Sequence, residues 1–226
     1  DGRADKTTVF ADGLNMPTGF ALGHGGAYIG QGNALLHLVD ADGDDKADSR
    51  RVLLSGFGTG DTHQNINSLT WSPGGELFFC QGLHSFSRVE TPWGIRRLDE
   101  HGSWRLRPRR LQLDGFRRSG GDGNPWGIAF GNWGEPFVKG NGQGVFELLP
   151  GMVSTEHIAS YWGREMTIGQ TRIKSMIMEF AESPHLPDDI QGEILIAGYF
   201  ARDVNRFKRE IDGSGHRLSL QPNLLT

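Results

Sequence analysis

The chain has 226 residues, a formal net charge of −4 and 36% apolar residues. The length suits one large domain, the charge leaves no basic footprint for a nucleic-acid partner, and no apolar stretch approaches the roughly 20 residues of a membrane span. Glycine supplies 34 residues, about double the usual share, so the chain needs many turns.

In chain order, "DGRADK" reads as the tail of an acidic loop, with Asp1 and Asp5 its surviving carboxylates. No signal peptide is visible, and a mature or clipped chain is expected. Three segments then share one plan, beginning at Val9, Val52 and Leu111, with a weaker fourth from Ile173. Each reads as an apolar strand, a Gly-Leu or Gly-Phe pair, a polar loop, and two more apolar strands around a Gly-containing turn. The pairs begin at Gly13, Gly56 and Gly115. The turns "HGG", "SPGG" and "NWG" supply residues that accept positive φ, as tight hairpins require. The flanking runs are short and rich in Phe, Leu, Ile, Val and Trp, as buried strands are.

A repeat of roughly 40 to 60 residues with four strands points to propeller blades. The expected fold is all-β, a β-propeller of about four four-stranded blades in a single domain over 1–226. Because "KTTVFADGL" matches the outer strand of an earlier blade, the chain is expected either to belong to a larger, six-bladed propeller or to close a four-bladed ring with that strand. A β-sandwich is the alternative. The best helix candidate is "STEHIASYWGREM", residues 154–166. The lone cysteine, Cys80 in "ELFFC", allows no disulfide within the chain and reads as a buried thiol.

In a propeller the innermost strand of each blade lines the central channel, and the loops leading into those strands share one rim. Here these loops are Asn15 to Pro17, Gly60 to Asn67, Gly120 to Trp126 and Gly169 to Lys174. His63, Asn65, Asn67, Asp122, Asn124, Trp126 and Lys174 are therefore expected to converge, although they lie far apart in sequence. His63 is the candidate general base, since imidazole titrates near neutral pH, and Asp61 is placed to hold its tautomer. The alternative is a surface-loop histidine bonding its own backbone. Trp126 is either a stacking platform for a planar ligand or a core aromatic of the channel strand. The histidines show no ligand spacing for zinc.

"DADGDDKADSRR", Asp40 to Arg51, resembles an EF-hand loop in spacing. Asp40, Asp42, Asp44 and Asp48 occupy positions 1, 3, 5 and 9, with Lys46 at the backbone-carbonyl position. Asp45 replaces the sixth-position glycine, Arg51 replaces the bidentate glutamate, and the flanks read as strands. The reading is a structural Ca²⁺ site or a solvated acidic hairpin tip.

"GLNMPTGFAL", "DADGDDKAD", "SRVETPWGIRRL", "GNPWGIAF" and "SPHLPDDIQGEILIAG" together resemble the glucose/sorbosone-dehydrogenase-like propellers. They look closest to the planctomycete-type membrane-bound-dehydrogenase proteins, which often continue into a c-type haem domain. The resemblance implies a propeller that oxidises sugars with pyrroloquinoline quinone (PQQ), assisted by Ca²⁺. It implies that His63, in "DTHQN", matches the general base of a "DHQ" motif. Asn124 and Pro125 of "GNPWG" match the quinone-binding segment "RNPQG", while Gly123 replaces an arginine and Trp126 a glutamine. Ala201 stands near the place of a cofactor-binding lysine. Asn67, Trp126 and Lys174 complete the expected ligand set.

The functional expectation is a sugar or alcohol dehydrogenase-like propeller. The alternatives are a non-catalytic carbohydrate- or protein-binding scaffold and a Ca²⁺-dependent lactonase-like hydrolase. The expected partner is a small-molecule or carbohydrate ligand, with homo-oligomers through open edge strands and a periplasmic or secreted location.

Overall fold

A computed structural model describes residues 3–117, 123–140, 142–148 and 165–225. They form four four-stranded antiparallel sheets and one added hairpin. Blade 1 is a meander of β1 (Pro17–Gly23), β2 (Gly26–Gln31), β3 (Ala34–Val39) and β4 (Ser49–Ser55). Its first turn shows why the local sequence folds this way. His24 and Gly25 take φ of 50° and 75°, and Gly23 pairs with Gly26. Positive φ at both central residues matches the twist of a two-residue hairpin.

Blade 2 runs β5 (Asn67–Trp71), β6 (Leu77–Gln81), β9 (Gly102–Arg107) and β10 (Gln112–Arg117). The hairpin β7 (Phe86–Thr91) and β8 (Gly94–Asp99) is inserted between β6 and β9 as a separate two-stranded sheet. The repeat in the sequence does not reveal this insertion. Blade 3 comprises β11 (Ile128–Phe130), β12 (Pro136–Lys139), β13 (Gly144–Leu148) and β14 (Glu165–Gln170). Blade 4 comprises β15 (Met176–Phe180), β16 (Ile194–Gly198), β17 (Asp203–Asp212) and β18 (Gly215–Leu225). Residues 154–164 of the helix candidate lie outside the described residues, and its last two, Glu165 and Met166, open β14.

The core lies between blades rather than within them. β6 shows the rule, since the apolar run "LFFC" has both faces covered. Leu77 and Phe79 pack with Tyr28, Leu35 and Trp104 toward blade 1. Phe78 and Cys80 pack with Ile128, Val138 and Leu148 toward blade 3. Phe137 and Val145 meet Met178, Ile194 and Phe207 between blades 3 and 4. Full burial pushes the Cys80 thiol up to about 12, so it stays protonated and inert.

The inner strands β1, β5, β11 and β15 pack in that order and together line one cavity of about 520 Å³. Close approach depends on two glycines. A Cβ on Gly19 would lie 2.7 Å from Leu69 Cδ1, and one on Gly127 would lie 3.1 Å from the Met178 backbone nitrogen. Two hydrogen bonds stitch the inner strands at one end. The Thr18 hydroxyl donates to Ile66 O at 2.8 Å, and the Ile177 N–H donates to Trp126 O at 2.8 Å. The side chains of Phe20 on β1 and Ile177 on β15 are exposed.

The segment expected as an extra outer strand joins no sheet. Phe10, Ala11 and Leu14 pack on the outward face of blade 1, against Ala27, Ile29, Leu36 and Leu38. The Ala47 N–H donates to Phe10 O at 2.8 Å. Ring closure of four blades by this segment is therefore not observed.

Inter-blade closeness makes a stability prediction. A Cβ on Gly30 would lie 2.6 Å from Ile66 Cβ and carbonyl oxygen, whereas one on Gly74 would meet only Ser72 Oγ at 3.7 Å. Gly30→Ala is expected to lose about 1–3 kcal/mol in urea denaturation by overpacking. Gly74→Ala is expected to change stability by less than about 0.5 kcal/mol.

Candidate functional site at the propeller mouth

Strand direction decides which loops share an end. Each inner strand starts at the same end, so the loops before β1, β5, β11 and β15 meet there. Each of these strands also begins irregularly. The register slips between Pro17 and Gly19, between Asn67 and Thr70, and between Met176 and Met178. In β11, Trp126 N–H and Gly127 O both pair with Lys139. Such bulges re-aim side chains at the rims of β structures. Ser68 and Ile177 accept φ of 55° to make them, an unfavourable conformation for a β-branched residue such as Ile177.

The loop before β5 carries the titratable pair. Thr62–Gln64 form a 3₁₀ turn capped by Asp61, whose carbonyl accepts the Gln64 N–H at 3.0 Å. This turn brings Asp61 Oδ1 to 2.5 Å from His63 Nδ1. Asp61 is mostly shielded, whereas the His63 side chain is 62% exposed. A carboxylate on Nδ1 holds the proton there and leaves Nε2 as the outward acceptor. The arrangement can take a proton from a ligand at the mouth.

The other expected residues fall into two groups. The Trp126 ring centroid lies 5.9 Å from that of His63, and Trp126 lines the cavity with Asn67. Asn67 Nδ2 donates to Gln64 Oε1 at 3.3 Å and to Asn65 O at 3.2 Å, while its Oδ1 accepts from Ser68 Oγ at 2.8 Å. Asn124 Oδ1 accepts the Leu83 N–H at 3.1 Å, so it ties the blade 2 loop to the blade 3 loop. His63, Asn67, Asn124 and Trp126 thus gather at one end. Lys174 lies in the loop before β15 at the same end, where its charge acts on Lys139. Asp122 lies outside the described residues.

Three contributors are not singled out by the sequence. Gln64 is fully buried and bridges to Asn67. Thr18 and Glu179 line the cavity from β1 and β15. Lys139 is a fourth surprise nearby, although a lysine inside the apolar run "PFVK" was its signal. It is fully buried, and its Nζ donates to Gly140 O and Gly142 O, each at 2.8 Å. Burial first, and then the charge of Lys174, lower it to about 8.

The acidic loop is elsewhere. It joins β3 to β4 and so lies at the opposite end from His63. Oxygens of Asp40, Asp42 and Asp48 lie within 4.8 Å of one another. Asp40 accepts N–H groups of Gly43 and Asp45, and Asp48 accepts that of Ala41. Asp44 is turned toward Lys46, whose Nζ is 3.9 Å away. Three of the four expected carboxylate ligands therefore converge, while Asp44 pairs with the Lys46 ammonium.

The comparisons with known proteins bear on the fold. Residues 1–213 match the family described as "Domain of unknown function (DUF7133)". The chain belongs to the DUF7133 family. No curated protein matches this DUF7133 chain. A solved luciferin-regenerating enzyme is similar over 92% of the chain, with a TM-score of 0.53 and 10% identity. The chain spans 61% of that enzyme's length, and the likeness supports the β-propeller fold. Virginiamycin B lyase from Staphylococcus aureus aligns over 91% of this chain and 69% of its own, at 13% identity and a TM-score of 0.45. The PQQ-bound aldose sugar dehydrogenase from Streptomyces coelicolor aligns over 95% and 83%, at 13% identity and 0.40. Among the described residues, no helix is long and apolar enough to cross a membrane.

The depressed Lys139 carries a pH prediction. Its ordinary value is 10.5 and its folded value about 8. Between these pH values the unfolded chain binds the proton more tightly, so stability rises with pH through that window. Urea denaturation from pH 7 to 10.5 should show wild type gaining on Lys139→Met across it. A pH-independent difference between the two would show that the amine is not penalised by burial.

Proposed function

We propose that the mouth binds a small carbohydrate-like ligand and that His63, held by Asp61, acts as a general base on one of its hydroxyls. The observation that carries this reading is the 2.5 Å Asp61–His63 contact set beside Trp126 at the rim of a four-blade cavity. A pocket of this size with aromatic and neutral polar groups suits a sugar-sized molecule. An indole face at its rim suits the C–H surface of a sugar ring.

PQQ, the cofactor that the resemblance implies, fits these residues poorly. Its three carboxylates call for guanidinium or ammonium partners. Gly123 and Ala201 stand where such partners are expected, the Lys139 ammonium is spent on two carbonyls, and Lys174 is one cation at this end against the carboxylates of Asp61 and Glu179. We therefore favour a neutral ligand over the quinone. Ca²⁺ belongs to the distal loop, where Asp40, Asp42 and Asp48 would hold it and brace the β3–β4 turn.

Two measurements test this reading. Diethyl pyrocarbonate should modify His63 readily at Nε2, Asp61→Asn should slow the modification, and an aldose from a hexose panel should protect the wild-type ring. If no sugar protects it while the label goes on freely, the mouth is not a carbohydrate site; added PQQ should protect no better than buffer. Calorimetry should give one Ca²⁺ site of about 10⁻⁴–10⁻³ M, lost in Asp40→Asn and in Asp48→Asn without affecting modification of His63. Heat from Ca²⁺ that survives both substitutions would place the ion elsewhere.

A further inference from the structure

The cavity below the rim has a hydrogen-bonding bias of its own. Thr18, Asn67, Ser68, Thr70 and Glu179 line it. The Thr18 hydroxyl donates to Ile66 O at 2.8 Å, the Thr70 hydroxyl to Ser68 O at 3.3 Å, and the Ser68 hydroxyl to Asn67 Oδ1 at 2.8 Å. A carbonyl oxygen can only accept, so each hydroxyl has committed its single proton. Asn67 Nδ2 has committed both of its protons, to Gln64 Oε1 and Asn65 O. Trp126 also lines the cavity, but its Nε1 is buried. These side chains therefore offer a ligand acceptors alone.

One of the acceptors is charged. Glu179 is exposed, and it is the one ionisable side chain lining the cavity among the described residues. Its Oε1 accepts the Phe180 N–H at 3.0 Å, which holds the carboxylate against β15. It lies two residues beyond Ile177, roughly 7 Å deeper than the rim at a strand's rise per residue. Lys174, in the loop before β15, is not among the lining residues. Phe20 and Ile177 line the same space and are 67% and 61% exposed. Apolar groups left open in a concavity mark a ligand-binding groove.

The inner strands are sheet edges, so their backbones offer N–H and C=O groups alike, and the side chains set the balance. A hydroxyl on a ligand brings one proton and two lone pairs, and those lone pairs meet no side-chain donor here. An ammonium brings three donors, no acceptor and the charge opposite to that of Glu179. The ring face of Phe20 also attracts a cation.

We propose that the cavity takes the ammonium group of a ring-sized organic amine, an amino sugar being the carbohydrate case, with Glu179 as its counter-ion. Missing cations turn the mouth away from an anion; this lining goes further and favours a cation over a neutral ring. The inference rests on the mouth being a ligand site, but not on His63 acting as a base.

Calorimetry at pH 7 with cyclohexylammonium and with cyclohexanol, which share a ring and differ in charge, tests it. The ammonium should bind in the millimolar range, about tenfold or more tighter than the alcohol, as a charge-assisted hydrogen bond requires. Glu179→Gln, which keeps the shape and the Oε1 bond to Phe180, should remove that preference. Asp40→Asn, in the distal acidic loop, should leave it unchanged. Equal affinity for the two rings, a preference unchanged in folded Glu179→Gln, or one lost in Asp40→Asn would each overturn the proposal. Hexose protection of His63 without an ammonium preference would overturn it and leave the base reading in place. An ammonium preference lost in Glu179→Gln, without hexose protection of His63, would sink the sugar-and-base reading and leave this one standing.

Discussion

The site depends on one constraint, the extra residue at the start of each inner strand. A regular strand alternates its side chains between two faces, and in a blade both faces are occupied by neighbouring blades. A residue aimed into the channel must break that alternation. The slips at Pro17–Gly19, Asn67–Thr70 and Met176–Met178 break it, and Lys139 facing both Trp126 and Gly127 does the same in β11. The positive φ of Ile177 is the strain that this geometry carries. Thr18 bonded to Ile66, and Ile177 bonded to Trp126, hold the displaced segments against their neighbours.

On that frame, local chemistry follows simply. A one-turn 3₁₀ segment is enough to fold Asp61 back onto His63. The imidazole is exposed and the carboxylate that fixes its tautomer is shielded. Asn124, expected to bind a cofactor, spends its oxygen on Leu83 N–H and joins two blades. Polar groups at the mouth are therefore of two kinds, those consumed in tying loops together and those left with hydrogen-bonding capacity.

The two ends of the propeller have different characters. At the mouth, the Asp61–His63 pair lies beside Trp126, which lines the cavity; at the far end, carboxylates of Asp40, Asp42 and Asp48 cluster on a hairpin. Lys139 marks the mouth differently. Its buried ammonium donates to the carbonyls of Gly140 and Gly142 at a cost in desolvation.

Much of this was legible in the residues. Turn chemistry at His24–Gly25 and the double-sided apolar run at Leu77–Cys80 announce hairpins and buried blades, because φ preferences and burial act within a few residues of sequence. The repeated loop before each inner strand announced that His63, Asn67, Asn124 and Trp126 share an end, since propeller symmetry converts sequence period into position. The β7–β8 insertion, the packing of Phe10–Leu14 on blade 1 instead of in a sheet, and the turning of Asp44 toward Lys46 were not legible. Each is settled by competition among neighbours that only meet once the blades pack. The sequence by itself determined the blades and the rim. Tertiary structure alone decided which rim amides are spent and which remain free, because a hydrogen bond has a reach of about 3 Å and no spacing along a chain encodes that distance.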